Sequence, residues 1–170
     1  MIGRPEGSEA APYYPTYINQ VTGDDPLAVI ESQLQESVRF FEGISEQESL
    51  HRYAPEKWSI RQTLNQVSDA ERVFAFRALW FARGFDLPLP SFEQEVAAAG
   101  AVADGVPWAA HLQEFTRVRE STISLFRNMP ADGWMRKGIA SGNPFTVRAL
   151  ACIIAGHLAH HVRILRERYL

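Results

Sequence analysis

The chain has 170 residues, of which 17 are Lys or Arg and 20 are Asp or Glu, so its formal net charge is −3. This length fits a single domain over residues 1–170, since one hydrophobic core serves chains of up to ~250 residues. The weak negative charge disfavours binding to nucleic acid, and no apolar run approaches the ~18–20 residues of a membrane span. A lone cysteine, Cys152, excludes an internal disulfide framework, and the N-terminus lacks a secretory pattern. We therefore expect a cytoplasmic protein.

The predicted elements are helices joined by loops. Residues 1–23, rich in Pro, Gly and Tyr, predict an extended N-terminal arm that lies against the protein body. Apolar residues then recur every three or four positions and predict four long helices, at about 24–43, 59–84, 107–129 and 146–170. A short helix is expected from Ser91 to Ala99, and residues 133–145 predict a connector or a short extended excursion. The fold class is therefore all-α, a four-helix bundle with long connections.

Two histidines lie inside the apolar stripe of the last predicted helix. His157 and His161 are four positions apart, so they stack on one face, whereas His160 points toward the polar side. Two inward imidazoles one turn apart can bind one metal ion, and four-helix bundles build metal sites in this way. The alternative is that each ring is a core residue satisfied by a hydrogen bond. The remaining histidines, His51 and His111, are expected at the surface.

At this point the sequence resembles the DinB-like (YfiT-like) metal-dependent hydrolases, over about residues 13–170. The matching segments occur in the family's order, at residues 53–59, 69–75, 77–79, 82–84, 88–90, 153–157, 160–161 and 164–169. The resemblance implies a four-helix bundle, a homodimer, and a divalent metal held by three histidines. Two of these come from an H-x-x-x-H pattern on the last helix, which falls on His157 and His161. The third falls on Gln66, where this chain departs from the family.

The departure at Gln66 leaves two interpretations open. Its amide oxygen can bind a cation, although more weakly than imidazole binds zinc-like metals. It can instead hydrogen-bond His157 or His161 in a polar core without metal. The expected cofactor is accordingly a divalent metal, with zinc or nickel favoured, or none.

Glu71 is a charged residue within the apolar stripe of the second long helix. A buried carboxylate needs a partner. As a catalytic residue, Glu71 would accept a hydrogen bond from a ligand histidine or a proton from bound water. An ion pair with an arginine such as Arg148 or Arg77 is the favoured alternative. Cys152 is interpreted as a buried thiol, since no histidine lies one turn away from it.

The resemblance implies a metal-dependent hydrolase or a transferase of bacillithiol or mycothiol type, acting on a small molecule at a site that Gln66 weakens. The alternative is an inactive DinB-like protein that binds a small molecule or only dimerises, without metal. Neither function involves nucleic acid or a membrane.

Overall fold

Helices form most of the structure, and three of the four long ones begin at a capping side chain. The computed structural model describes residues 2–170. In chain order its elements are α1 (Pro15–Ile18), α2 (Pro26–Glu42), α3 (Ile60–Ala82), α4 (Gln94–Ala101), α5 (Trp108–Arg127), β1 (Lys137–Ala140), β2 (Asn143–Thr146) and α6 (Val147–Arg168), with short 3-10 turns between some of them. Asp25, Ser59 and Thr146 accept hydrogen bonds from first-turn amides of α2, α3 and α6, respectively.

The four long helices pack as a bundle, which confirms the predicted fold class. α3 packs against α5 and α6, and α2 packs against the same two helices. α6 is buried throughout residues 149–158 because α1, α2 and α3 all lie against it. The fully buried side chains of Leu150, Ile153 and Ile154 lie within the main core. None of the helices in residues 2–170 is long and apolar enough to cross a membrane.

The N-terminal arm lies against the bundle as predicted, but it is not extended throughout. It contains the short helix α1, where Pro15 occupies the first position, a place that suits the fixed φ of proline. The Arg4 guanidinium joins the two ends of the arm by donating hydrogen bonds to the carbonyls of Ile18 and Val21. Arg148 of α6 then binds the Glu9 carboxylate at 2.7 Å and ties the arm to the bundle.

The connections differ from the prediction in two places. α4 begins at Gln94, three residues after the expected cap at Ser91. The connector at residues 133–145 contains most of an antiparallel hairpin, β1–β2. Ser141 and Gly142 at its tip have φ of 52° and 72°, the left-handed pair that tight hairpin turns require. Leu89 donates a hydrogen bond to the Ile139 carbonyl at 2.9 Å, so the loop after α3 lies beside the hairpin.

Candidate functional site

His157 and His161 point toward one another on the same face of α6. Their Nε2 atoms are 3.2 Å apart, and their ring centroids are 4.6 Å apart. His157 is 4% exposed, whereas His161 is partly exposed at the wall of a cavity. The helical spacing thus brings two ring nitrogens to one point, as the sequence indicates.

Burial keeps this pair uncharged near neutral pH. Desolvation lowers the pKa of His157 well below its ordinary value, and the neighbouring His161, His160 and Arg119 lower it further. Desolvation, followed by the influence of His160, lowers the pKa of His161 to about 4. A neutral imidazole is the form that binds metal, or that shares one hydrogen bond with a neighbouring ring.

Gln66 faces the same region from α3. It is 4% exposed, and its Oε1 atom has no hydrogen-bond partner among residues 2–170. Gln66 and His157 line one cavity of about 100 Å³. An acceptor left unpaired in the protein interior is costly, and a cation or a donor from a ligand would satisfy it.

The donor atoms of these three side chains are of types that bind divalent cations. A tetrahedral zinc with Zn–N bonds of ~2.0–2.1 Å separates two ligand nitrogens by roughly 3.3–3.4 Å, close to the observed 3.2 Å between His157 and His161. The unpaired Gln66 oxygen would be a harder and weaker third ligand than imidazole. No group of three or more His, Cys, Asp or Glu side chains within residues 2–170 is arranged to hold a metal.

Glu71 is buried, but its partner differs from those the sequence suggested. Its Oε2 atom lies 2.8 Å from Nη2 of Arg119, a residue of α5 with no exposed surface, rather than beside Arg148 or Arg77. The pair is poorly aligned for hydrogen bonding, and Glu71 Oε1 and Arg119 Nε have no partner in the described part of the chain. Glu71 lines neither cavity that the histidines line. The geometry therefore favours the ion-pair interpretation of Glu71.

The N-terminal arm covers the histidines. The Tyr17 ring packs edge-on against His157 at 5.1 Å and against His160 at 5.3 Å, measured between centroids. The Tyr17 carbonyl lies so close to Gly156 that a Cβ at this glycine would be 2.0 Å from the oxygen. A glycine one residue before His157 is thus what allows the arm to reach the site.

The histidine pair lies between two cavities. His157 lines the cavity of about 100 Å³, and His161 lines a second cavity of about 270 Å³. Gln94, the first residue of α4, lines both cavities. A molecule entering from either side would therefore meet one of the two imidazoles.

The remaining single residues follow the sequence predictions with one exception. His51 is exposed and Cys152 is a buried free thiol, as predicted. Burial raises the pKa of Cys152 to about 12, which disfavours a nucleophilic role. The predicted surface position of His111 is wrong: it is 3% exposed and its Nε2 lies 2.9 Å from the Ala103 carbonyl.

Sequence reasoning missed the polar residues at the far end of the smaller cavity. Arg77, Tyr14 and Ser141 line it opposite the histidine end, and Arg77 is 3% exposed. The sequence does contain a signal for Arg77. Residues 66, 70, 73 and 77 are separated by four, three and four positions, so Arg77 lies on the same face of α3 as Gln66. No local pattern places Tyr14 or Ser141 there, since both arrive from distant segments.

The family model described as the DinB superfamily matches residues 30–165 of this chain. Among solved structures, the chain is similar to YfiT from Bacillus subtilis, which is described as a probable metal-dependent hydrolase with an unusual four-helix bundle topology. The two share 14% sequence identity and a TM-score of 0.66, and the match covers 96% of this chain and 91% of that one. This likeness concerns the fold. No curated protein matches the chain.

Proposed function

Because this chain belongs to the DinB superfamily, we propose that it is a metal-dependent enzyme that hydrolyses a small molecule or transfers a thiol to one. The observation that supports this proposal is the convergence of the His157 and His161 Nε2 atoms, 3.2 Å apart. Gln66, whose oxygen is unpaired, lines the same cavity as His157. YfiT, which has a similar fold, is itself described as a probable metal-dependent hydrolase.

The roles of the protein groups follow from their positions. His157 and His161 would hold a divalent metal, zinc or nickel, with Gln66 as a weak third ligand. When bound, the metal would supply Lewis-acid activation of water or a thiol. The Tyr17 ring orients His157 by edge-on packing and keeps bulk water from that side. The Glu71–Arg119 pair lies outside both cavities, so its proposed role is structural.

A second candidate is an inactive protein that binds a small molecule without metal. It is favoured by the contact between His157 and His161, which can be a hydrogen bond in which one neutral ring donates to the other. It is also favoured because no three His, Cys, Asp or Glu side chains in residues 2–170 are arranged to hold a metal. The replacement of a histidine by Gln66 would then mark the loss of the metal.

Metal content separates the two candidates. Protein without a polyhistidine tag is purified, incubated with zinc or nickel, desalted and measured by elemental analysis, beside a His157→Ala/His161→Ala variant. His51→Ala is the matched control, because His51 is an exposed histidine far from the pair in sequence. The enzyme proposal predicts close to one metal per chain in wild type and His51→Ala, none in the double variant, and metal-dependent cleavage in a screen of small esters and amides. Metal well below one per chain in wild type would contradict it.

The proposal includes a homodimer in the cytoplasm. Several large apolar side chains near the loop after α3 are exposed, among them Phe76, Phe85 and Leu87, and exposed apolar patches commonly form interfaces. Light scattering at micromolar concentration tests this point. A dimer that Leu87→Glu dissociates would support it, and a monomeric wild type would contradict it.

A further inference from the structure

The cavity beside His157 has a second polar end, at Arg77. Gln66, Ala70, Val73 and Arg77 share one face of α3, and all four line the cavity. At 1.5 Å per residue, Gln66 and Arg77 are about 16 Å apart along the helix axis. The cavity therefore joins the candidate metal ligands to a guanidinium that the proposed function does not use.

Arg77 is a buried cation without a carboxylate partner. It is 3% exposed, and no carboxylate oxygen in residues 2–170 lies within 4.0 Å of its guanidinium. Its Nη2 donates to the Pro90 carbonyl at 3.0 Å and lies 3.1 Å from the Ser141 hydroxyl. The Tyr14 hydroxyl also contacts the guanidinium. A buried charge without a countercharge is costly, and an anion bound in the cavity would offset that cost.

The other groups in the cavity suit a single negative charge. Among residues 2–170, no Asp or Glu lines it, and Arg77 is the only cationic side chain in its wall. Burial raises the pKa of Tyr14, an effect that the nearby Arg77 guanidinium opposes, so the phenol is protonated and can donate. One guanidinium and neutral hydroxyls match a carboxylate better than a phosphate dianion, which recruits more positive charge.

We propose that this cavity binds the carboxylate of a small organic acid, with Arg77 as its countercharge and the Tyr14 and Ser141 hydroxyls as further donors. The binding of an acid is argued independently of the proposed function. Only the further statement that this acid is the substrate rests on the proposed function. A longer acid with its carboxylate at Arg77 would extend along α3 toward Gln66 and His157.

Calorimetric titration with acetate and propionate tests the inference, with acetamide and propionamide as neutral probes of the same shape. The acids are expected to bind the wild type at least about tenfold more tightly than the amides, because only they complete the charge pair. Arg77→Gln should weaken acid binding at least about tenfold. Arg83→Gln is the matched control, since Arg83 follows α3 and is exposed, and it should bind like wild type. Tyr14→Phe provides a milder second variant, and should weaken acid binding several-fold.

Three results would overturn the inference: amides that bind as tightly as acids, inorganic phosphate that binds more tightly than acetate, or Arg77→Gln and Tyr14→Phe that both bind like wild type. The titrations are run with and without added zinc. Acid binding that needs no metal, in a protein without metal-dependent activity, would support this inference and remove the proposed function. Metal-dependent cleavage without preference for acids would do the reverse.

Discussion

Replacing Gly156 by alanine tests whether the N-terminal arm is locked onto α6 above the histidines. A Cβ at this position would lie 2.0 Å from the Tyr17 carbonyl oxygen and 2.5 Å from the carbonyl carbon. Ordinary contact begins near 3.4 Å, so the arm must retreat by about 1.4 Å. Both atoms belong to the backbone, and a side-chain rotation cannot relieve the clash.

The magnitude follows from two opposing terms. An added methyl group in a well-packed interior costs about 1–3 kcal/mol. Alanine is favoured over glycine inside a helix by about 1 kcal/mol, which offsets part of that cost. Gly100→Ala is the matched control, because Gly100 lies within α4 with nothing within 4 Å of the new Cβ. The helix preference for alanine contributes to both variants, so the difference between their free energies of unfolding isolates the steric cost at Gly156.

Thermal unfolding measures this difference. For a chain of this size 1 kcal/mol corresponds to about 2–4 °C, so the melting temperature of Gly156→Ala should lie about 2–12 °C below that of Gly100→Ala. Gly100→Ala should melt at or slightly above the wild-type temperature. Equal stabilisation by both substitutions would refute the close packing of Tyr17 on Gly156.

Two further predictions concern ion pairs. The Arg148 guanidinium lowers the pKa of Glu9 from 4.5 to about 2, and a carboxylate with a depressed pKa stabilises the fold above pH 4.5 and loses this effect as the pH falls toward 2. Glu9→Gln should therefore lower the free energy of unfolding by about 1–2 kcal/mol at pH 7, after allowance for partial exposure. At pH 2 the same substitution should change it by almost nothing. Denaturant titrations that show the same loss of stability at both pH values would contradict this prediction. Glu71→Leu should cost about 3–5 kcal/mol because it strands the Arg119 charge, and adding Arg119→Met should recover most of that loss. A double variant as unstable as the single one would exclude the buried ion pair.

The fold was predicted from the local periodicity of apolar residues. Apolar residues at three- and four-residue spacing identified all four long helices, and the same geometry paired His157 with His161. The same periodicity could also have predicted that His111 is buried. His111 precedes Phe115 by four positions on the buried face of α5, so its burial follows the same spacing.

Contacts between distant segments could not be predicted in this way. The partner of Glu71 is Arg119, 48 positions later on another helix, and nothing in either local pattern selects it. The segment of the hairpin within residues 137–146 was predicted only as a connector or a short extended excursion, because its Gly, Asn and Pro residues are typical of loops. The Arg77 cavity depends on Tyr14 and Ser141, which only the folded chain brings together.

The zinc affinity of three proteins tests most directly whether Gln66, His157 and His161 form one weakened cation site. Wild type, Gln66→His and Gln66→Leu are titrated in competition with a chromophoric chelator, and circular dichroism verifies that each is folded. If Gln66 is the third ligand, Gln66→His should bind zinc at least about tenfold more tightly than wild type, and Gln66→Leu at least about tenfold more weakly. The same dissociation constant for all three proteins would contradict a cation site that includes Gln66.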